Sequence, residues 1–277
     1  MEPRIDLASH TLDDSPDAKA LIQQAVKLFR VHGALMLENV FPVEIIEAMR
    51  DDFIDRYETL PDDEIEKHCL KVGHQRYKFT VNVQEPFNTP ELYAAPKLLP
   101  ILKQILAPDL VIHSFGAVCA FPGSEMQHFH QDHEFLYPEA GGLNAFLPPY
   151  CLRVHTPMID LDEETGSTAL WLGSHREKSK KETTKLGNSV GDGVKGAFVP
   201  KLNVGDCYLM DFRLSHRGTP NVSDRARTMF YMLYSRRWFK DHKNFDKQSR
   251  LDIKQEEYEK IPEENRDLFL NAKLGNH

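Results

Sequence analysis

From Leu110 onward, the chain consists of short apolar runs rich in β-branched and aromatic residues. Turn-forming clusters such as Pro122–Gly123, Gly141–Gly142 and Gly205–Asp206 separate these runs. The runs are LVIHSFGAVCAF, FHQDHEFLY, CLRVHTPMIDL, STALWL, CYLMDF and RTMFYMLYSRRWF. Several short strands with turn signals between them are typical of an antiparallel sandwich or barrel. The sequence therefore predicts a mainly β core over residues 110–239.

The first 109 residues have a different pattern, which predicts a helical support region. Apolar residues recur at helical spacing over Ala18–Phe29, and a second amphipathic helix is expected after Pro42. A short strand is expected at Ala34–Leu37, and a further helix at Pro96–Leu106.

We expect residues 1–277 to form one domain with three further features. Residues 240–277 read as a charged C-terminal tail with helical character. Residues 176–196 are rich in Lys, Ser, Thr and Gly, and a loop of this length in a compact domain is usually a lid or is disordered. We interpret this segment as a lid loop.

Composition excludes several classes of protein. The chain carries 34 Lys and Arg against 42 Asp and Glu, a net charge of -8, which argues against a nucleic-acid-binding protein. No apolar run is long enough for a membrane span, and no targeting segment is visible at the N-terminus. The four cysteines lack C-x-x-C spacing, which favours a reducing, cytoplasmic location; they are Cys69, Cys119, Cys151 and Cys207.

His130 and Asp132 form an H-x-D pair in a β-like segment. Residues i and i+2 of a strand point to the same face, so the imidazole and the carboxylate would converge. His216 is the best third partner, because it ends the run CYLMDFRLSH just before a turn. Two imidazoles and one carboxylate with open positions suit non-haem iron(II).

Two arginines follow this histidine and lead into the last long apolar run. By strand parity, Arg225 and Arg227 would lie on the same face, so parity alone does not separate them. A buried arginine needs an anionic partner, and its planar fork suits a carboxylate. A dicarboxylate cosubstrate is one such partner.

Four ordered motifs resemble the phytanoyl-CoA dioxygenase family. They are H-Q-D at 130–132, G-S-x-x-L-W-L-G-S-H at 166–175, G-D-x-x-x-x-D-x-R-L-x-H-R-G at 205–218 and N-x-S-D-R-x-R at 221–227. The early pattern VHGALMLENVFP is also similar to that family. The resemblance implies a double-stranded β-helix (jelly roll, cupin-like) with N-terminal and flanking α-helices. It also implies an oxygenase that uses iron(II), 2-oxoglutarate and dioxygen.

Carried over residue by residue, the resemblance implies His130, Asp132 and His216 as the catalytic metal ligands. Arg227 matches the arginine that binds the distal carboxylate of 2-oxoglutarate, with Arg225 as its rival. Gln127 and Thr168 occupy segments that often contact this cosubstrate. The chain departs from the family at Leu172, where many relatives have proline.

The resemblance also carries an expected reaction. Related halogenases replace the metal carboxylate by a small residue, so the retained Asp132 favours oxygenation. We expect hydroxylation of an unactivated C–H bond of a small organic molecule, such as a natural-product intermediate, with formation of succinate and CO2. Desaturation, cyclisation and endoperoxide formation stay open.

Two other functions remain as alternatives, namely a fatty acyl-CoA hydroxylase and a non-catalytic metal- or ligand-binding jelly roll. Besides the small-molecule substrate, we expect no nucleic-acid or membrane partner, and a homodimer is one compatible assembly. His155 is expected to be structural.

Overall fold

The computed structural model describes residues 2–61, 64–65, 69–133, 136–176, 197–242 and 250–275. Most of the expected lid, 177–196, therefore lies outside the described residues. The part of the chain that is described contains no helix long and apolar enough to cross a membrane.

A large sheet forms the frame of the molecule. Its strands are β1 (Arg4–Asp6), β2 (Ala34–Glu38), β3 (Cys69–Gly73), β4 (Arg76–Thr80), β5 (Val111–Ala120), β6 (Cys151–Pro157), β9 (Cys207–Asp211) and β11 (Arg227–Ser235). Their spatial order is β1-β2-β9-β6-β11-β5-β4-β3, and all neighbours except β1 and β2 are antiparallel.

A smaller sheet supplies the opposite wall of the site. It contains β10 (His216–Gly218), β7 (Thr168–Trp171) and β8 (Ala197–Phe198), in that order. Two further short strands, β12 (Asp252–Lys254) and β13 (Lys273–Gly275), pair in parallel near the C-terminus.

Helices and turns accompany the strands. Within the described ranges, the α-helices are α1 (Pro16–His32), α2 (Val43–Phe53), α3 (Pro90–Tyr93), α4 (Leu99–Ile105) and α5 (Gln255–Lys260). A π-helical turn follows α2 at Ile54–Glu58, and 3-10 turns lie at Pro138–Ala145, Ser174–Arg176 and Glu263–Phe269.

The start and end of α1 follow from local chemistry. The hydroxyl of Ser15 accepts a hydrogen bond from the backbone amide of Ala18 at 3.2 Å, and Pro16 fits the first turn. Gly33 ends the helix with φ of 75°, a left-handed conformation that glycine adopts without steric cost.

Alternate residues of β11 face two different environments. Phe230 and Met232 belong to the main hydrophobic core, which also includes Phe29 of α1 and Phe53 of α2. The alternate position Met229 faces the other side and lines a cavity between the two sheets. The sheet thus packs helices on one face and builds the site on the other.

The structure confirms most of the predicted β core but corrects one segment. The described residues of FHQDHEFLY, 129–133 and 136–137, do not form a regular strand, because among them only His130 makes a β-bridge and the chain bends at Asp132 and His133. The nearby sequence Pro138 to Ala145 then forms a 3-10 turn. Asp132 is held by Arg153 of β6 and not by a strand ladder, so a contact between segments distant in sequence overrides the local pattern.

Residues 1–109 are more than a helical support. They contribute β1 to β4, half of the strands of the large sheet. The hairpin of β3 and β4 was missed because CLKVGHQRYKFT is rich in polar residues and lacks a clean apolar alternation. The tail contains α5 as expected, and it also contributes β12 and β13.

Candidate metal centre

The three predicted metal ligands lie together at one end of the cavity. His216 begins β10, and His130 pairs with it through two reciprocal backbone hydrogen bonds of 2.9 Å. Their imidazole centroids are 4.5 Å apart. Asp132 follows in the bend, and the ligand atoms of all three residues lie within 4.8 Å of one another. A β-bridge and one bend therefore assemble a two-histidine, one-carboxylate cluster.

Backbone carbonyls fix the orientation of both imidazoles. Nδ1 of His130 lies 3.1 Å from the carbonyl oxygen of His128, and Nδ1 of His216 lies 3.0 Å from that of Leu214. A carbonyl can only accept, so each Nδ1 carries a proton, and in the neutral ring the lone pair is then on Nε2. Burial lowers the pKa of His216 to about 4, despite the opposing charge of Asp132. The neutral imidazole is the form that binds a metal.

Arg153 of β6 holds the Asp132 carboxylate. Its Nη1 lies 3.3 Å from Oδ2 of Asp132, and its guanidinium stacks over the rings of Tyr231 and Phe212. Burial alone would raise the pKa of Asp132, but the positive charge of Arg153 is the largest of the nearby influences that hold it well below its usual range. An anionic carboxylate beside two imidazoles fits a divalent cation such as iron(II).

The cavity is lined by residues from both sheets and has a volume of about 220 Å³. Lys78, Arg153 and Arg227 line it from the large sheet, and Thr168 and His216 line it from the small one. Among the described residues, Asp132 is the single carboxylate in its wall. The cavity therefore pairs the cluster with a strongly cationic wall.

Arg227 and Arg225 have different environments. Arg227 is 2% exposed and lines the cavity, and burial lowers its pKa to about 10. Arg225 is exposed and lies 3.3 Å from Asp162 in a surface ion pair. The shared face expected from parity fails because β11 begins only at Arg227, so strand alternation does not extend back to Arg225.

Gln127 and Thr168 both line the cavity, but the amide of Gln127 is already engaged. Its Oε1 accepts from the backbone amide of Gly218 at 2.9 Å, and its Nε2 donates to the carbonyl of Val72 at 2.6 Å. Gln127 thus ties β10 to β3. Thr168 lies on β7 opposite Gly218.

Several cavity residues were not singled out from the sequence. Arg76 and Lys78 come from the missed hairpin, and Arg153 comes from an otherwise apolar strand. His155, expected to be structural, is buried and stacks on Tyr208 with ring centroids 4.7 Å apart, and it also lines the cavity. The sequence signal that could have identified these cavity residues is an ionisable side chain at alternate positions of an apolar strand, as in CLRVH.

The fold is similar to that of solved structures that contain nickel. HygX from Streptomyces hygroscopicus, solved with nickel and 2-oxoglutarate, matches with a TM-score of 0.59 and 16% identity, covering 78% of this chain and 87% of HygX. HygX solved additionally with hygromycin B matches equally well. The nickel complex of ThoJ, a non-haem monooxygenase, has a TM-score of 0.52 at 17% identity over 75% of each chain. These similarities confirm the predicted jelly-roll architecture.

Sequence comparison identifies further relatives. The chain is 25% identical to dioxygenase af480 of Aspergillus fumigatus over 147 residues, which is 52% of this chain. The match spans 44% of that protein, so this chain corresponds to less than half of its relative's length.

The sequence model of the phytanoyl-CoA dioxygenase (PhyH) family matches residues 29–229. The matched range includes the histidine–aspartate cluster and Arg227. Members of this family are oxygenases that depend on iron(II), 2-oxoglutarate and dioxygen. Because the match covers most of the sequence, the chain belongs to the phytanoyl-CoA dioxygenase family.

Proposed function

We propose that this chain is an iron(II)- and 2-oxoglutarate-dependent oxygenase that hydroxylates an unactivated C–H bond of a small organic molecule. The observation that carries the proposal is the cluster of His130, Asp132 and His216, which opens into the same cavity as buried Arg227. His130, Asp132 and His216 bind the iron, and Arg227 binds the distal carboxylate of 2-oxoglutarate. Thr168 and Gln127 line the part of the cavity that would hold 2-oxoglutarate.

Each residue has a separate task in this scheme. Bound iron, 2-oxoglutarate and dioxygen supply the oxidising power for C–H cleavage and yield succinate and CO2. The two histidines direct Nε2 to the metal because the carbonyls of His128 and Leu214 hold the opposite nitrogens. Arg153 keeps Asp132 anionic and oriented. Arg227 fixes the cosubstrate from the opposite wall of the cavity.

The cavity supports a small, partly apolar substrate. Val72, Val118 and Met229 give it apolar surface beside the charged groups. HygX, which has a similar fold, was solved with the small molecule hygromycin B bound. We therefore propose a small organic substrate, such as a natural-product intermediate. The retained carboxylate of Asp132 favours oxygenation over halogenation, since it fills the position that chloride would need.

Succinate formation tests the proposal. The purified chain of 277 residues is incubated with iron(II), ascorbate, 2-oxoglutarate and a panel that includes polar natural products and fatty acyl-CoA thioesters. Succinate and a product with one added oxygen atom are measured by mass spectrometry. We expect turnover with a small molecule; turnover only with acyl-CoA would instead assign an acyl-CoA hydroxylase.

Asp132→Ala is the matched negative variant, because it removes one of three proposed ligands. It should abolish metal-dependent succinate formation, whereas Asp14→Ala, at an exposed position, should not. Full activity of Asp132→Ala would remove it from the ligand set. Absence of 2-oxoglutarate turnover by the wild type with every compound would favour a non-catalytic binding protein.

A further inference from the structure

Two arginines occupy the same level of the cavity wall. In the large sheet, Arg76 of β4 and Arg227 of β11 are both register partners of Ala120 on the intervening strand β5. Residues opposite one another in antiparallel strands point to the same face. Both guanidiniums therefore enter the cavity, one on each side of Ala120, and both line it.

Neither guanidinium is balanced by a carboxylate within the described residues. Arg76 is 1% exposed and Arg227 is 2% exposed. In the described part of the chain, Nε and Nη1 of each arginine have no hydrogen-bond partner. Burial, together with the charge of Arg227, lowers the pKa of Arg76 to about 10. Two buried like charges with unused donors are unfavourable unless an anion lies between them.

The surrounding backbone holds Arg76 in place. Its Nη2 donates to the carbonyl of Thr219 at 2.7 Å and to the hydroxyl of Ser124 at 3.2 Å. A Cβ at Gly218 would lie 1.6 Å from Nη1 of Arg76, so β10 has room for this guanidinium only because position 218 is glycine. The loop at Ser124, the turn after β10 and Gly218 together position one side of Arg76 and leave Nε and Nη1 unused.

We infer that Arg76 and Arg227 together bind the distal carboxylate of the dicarboxylate cosubstrate, so that Arg76 is a second specificity-determining residue. This inference rests on the proposed function, which supplies 2-oxoglutarate as the ligand. A carboxylate has two oxygens and about four acceptor sites, enough for donors from both arginines. The arrangement also discriminates against a monocarboxylic 2-oxo acid, because such a ligand leaves both buried cations without an anion.

The test compares two ligands that differ only at the distal end. Wild-type protein loaded with iron(II) is titrated anaerobically by calorimetry with 2-oxoglutarate and with 2-oxopentanoate, which lacks the distal carboxylate. Arg76→Gln should weaken 2-oxoglutarate binding about tenfold or more, as expected for the loss of a charge-assisted hydrogen bond. Binding of 2-oxopentanoate should change by less than about twofold, which is within ordinary non-additivity.

Arg76→Lys is the second variant. It keeps a cation that can donate to the carbonyl of Thr219, but it loses the planar fork. We expect Arg76→Lys to lose less affinity for 2-oxoglutarate than Arg76→Gln does. Arg225→Gln, at the exposed ion pair with Asp162, is the matched control and should leave both affinities unchanged.

The outcomes separate this inference from the proposed function. If Arg76 has only a structural role, its variants will lower the affinity for both ligands equally, and the inference is wrong. Unchanged selectivity in Arg76→Gln and Arg76→Lys would also overturn it while leaving the oxygenase intact. If the wild type binds neither ligand, the proposed function itself fails.

Discussion

At the scale of single residues, Arg153 connects the histidine–aspartate cluster to the large sheet. Its Nη1 lies 3.3 Å from Asp132, and its guanidinium lies over the rings of Tyr231 and Phe212. The arginine therefore sets both the charge and the direction of the carboxylate. Residues that hold a metal ligand in this way typically change metal affinity when replaced.

Replacing Arg153 by methionine tests this role. We expect metal affinity to fall by roughly 10–100-fold, the usual effect of losing a group that orients a ligand. Without metal, the uncompensated Asp132 should also reduce the free energy of unfolding by about 3–5 kcal/mol. Anaerobic titration with iron(II) measures the first effect, and urea denaturation measures the second.

Arg153→Lys is the control for charge alone, and this variant should retain a higher metal affinity than Arg153→Met. Wild-type iron(II) affinity in Arg153→Met would show that Asp132 needs no partner to hold the metal.

The residues of the site were unequally predictable. His130, Asp132, His216 and Arg227 lie in motifs whose spacing is visible in the sequence, and the structure places all four around one cavity. Arg153 and Arg76 were not predictable in the same way, since their importance depends on strand register. Register brings positions distant in sequence to the same level, and no local pattern encodes it.

At the scale of elements, β10 combines two tasks in three residues. His216 enters the histidine–aspartate cluster, and Gly218 makes room for Arg76 two residues later. The φ angle of Gly218 is not positive, so the backbone conformation does not require glycine at this position. Glycine is required because a Cβ there would collide with the guanidinium of Arg76.

Gly218→Ala should therefore act through Arg76. The added methyl would collide with the guanidinium, and we expect a loss of about 1–3 kcal/mol in unfolding free energy, as for other overpacked sites. Affinity for 2-oxoglutarate should fall in parallel. Thermal denaturation and calorimetry measure the two effects.

Gly73→Ala is the matched control, because a Cβ there meets only atoms at 3.6 Å or more and φ is not positive. If both alanine variants lose the same stability, Gly218 has no special relation to Arg76.

His175 connects a different pair of elements. This residue lies in the 3-10 turn after β7, and its Nε2 contacts the carbonyl oxygen of Arg30 in α1 at 3.2 Å. Burial lowers its pKa, which outweighs the opposing effect of Asp211; Arg213 and Arg176 lower it further. The folded chain therefore keeps this histidine neutral under conditions where the unfolded chain would protonate it.

A lowered histidine pKa makes the free energy of unfolding depend on pH. Below the unfolded pKa of about 6.5, the unfolded state binds the proton first, so stability falls as pH decreases toward the folded pKa. One such group contributes a slope of up to about 1.4 kcal/mol per pH unit. His175→Gln should reduce the slope between pH 7 and pH 5 in urea denaturation. An identical slope in both proteins would show that His175 does not take part.

The elements themselves were predicted best where apolar periodicity was strong. β5 and β11 fall within the expected runs, and α1 contains the expected helix. The segment after His130 was wrong because tertiary contacts, and not a strand ladder, hold Asp132. The hairpin of β3 and β4 was missed since its inward side chains, Arg76 and Lys78, are charged. Both failures lie at the site, where binding overrides the usual apolar pattern.

At the scale of the whole molecule, the cavity concentrates positive charge inside an acidic protein. The chain has a net charge of -8. Among the described residues, the cavity wall nevertheless contains Arg76, Lys78, Arg153 and Arg227 against the single carboxylate of Asp132. Buried cations of one sign raise the free energy of the ligand-free fold, so an anionic ligand should stabilise the entire chain.

Thermal unfolding of iron(II)-loaded protein under anaerobic conditions measures this stabilisation. At a 2-oxoglutarate concentration about 100 times its Kd, binding adds about 2.7 kcal/mol. For a chain of this size that corresponds to an increase in Tm of roughly 5–10 °C. At the same concentration, 2-oxopentanoate should give a smaller increase because it leaves Arg76 and Arg227 uncompensated, and sodium chloride at equal ionic strength controls for screening. Equal increases in Tm with the two oxo acids would mean that the cationic wall does not bind the distal carboxylate.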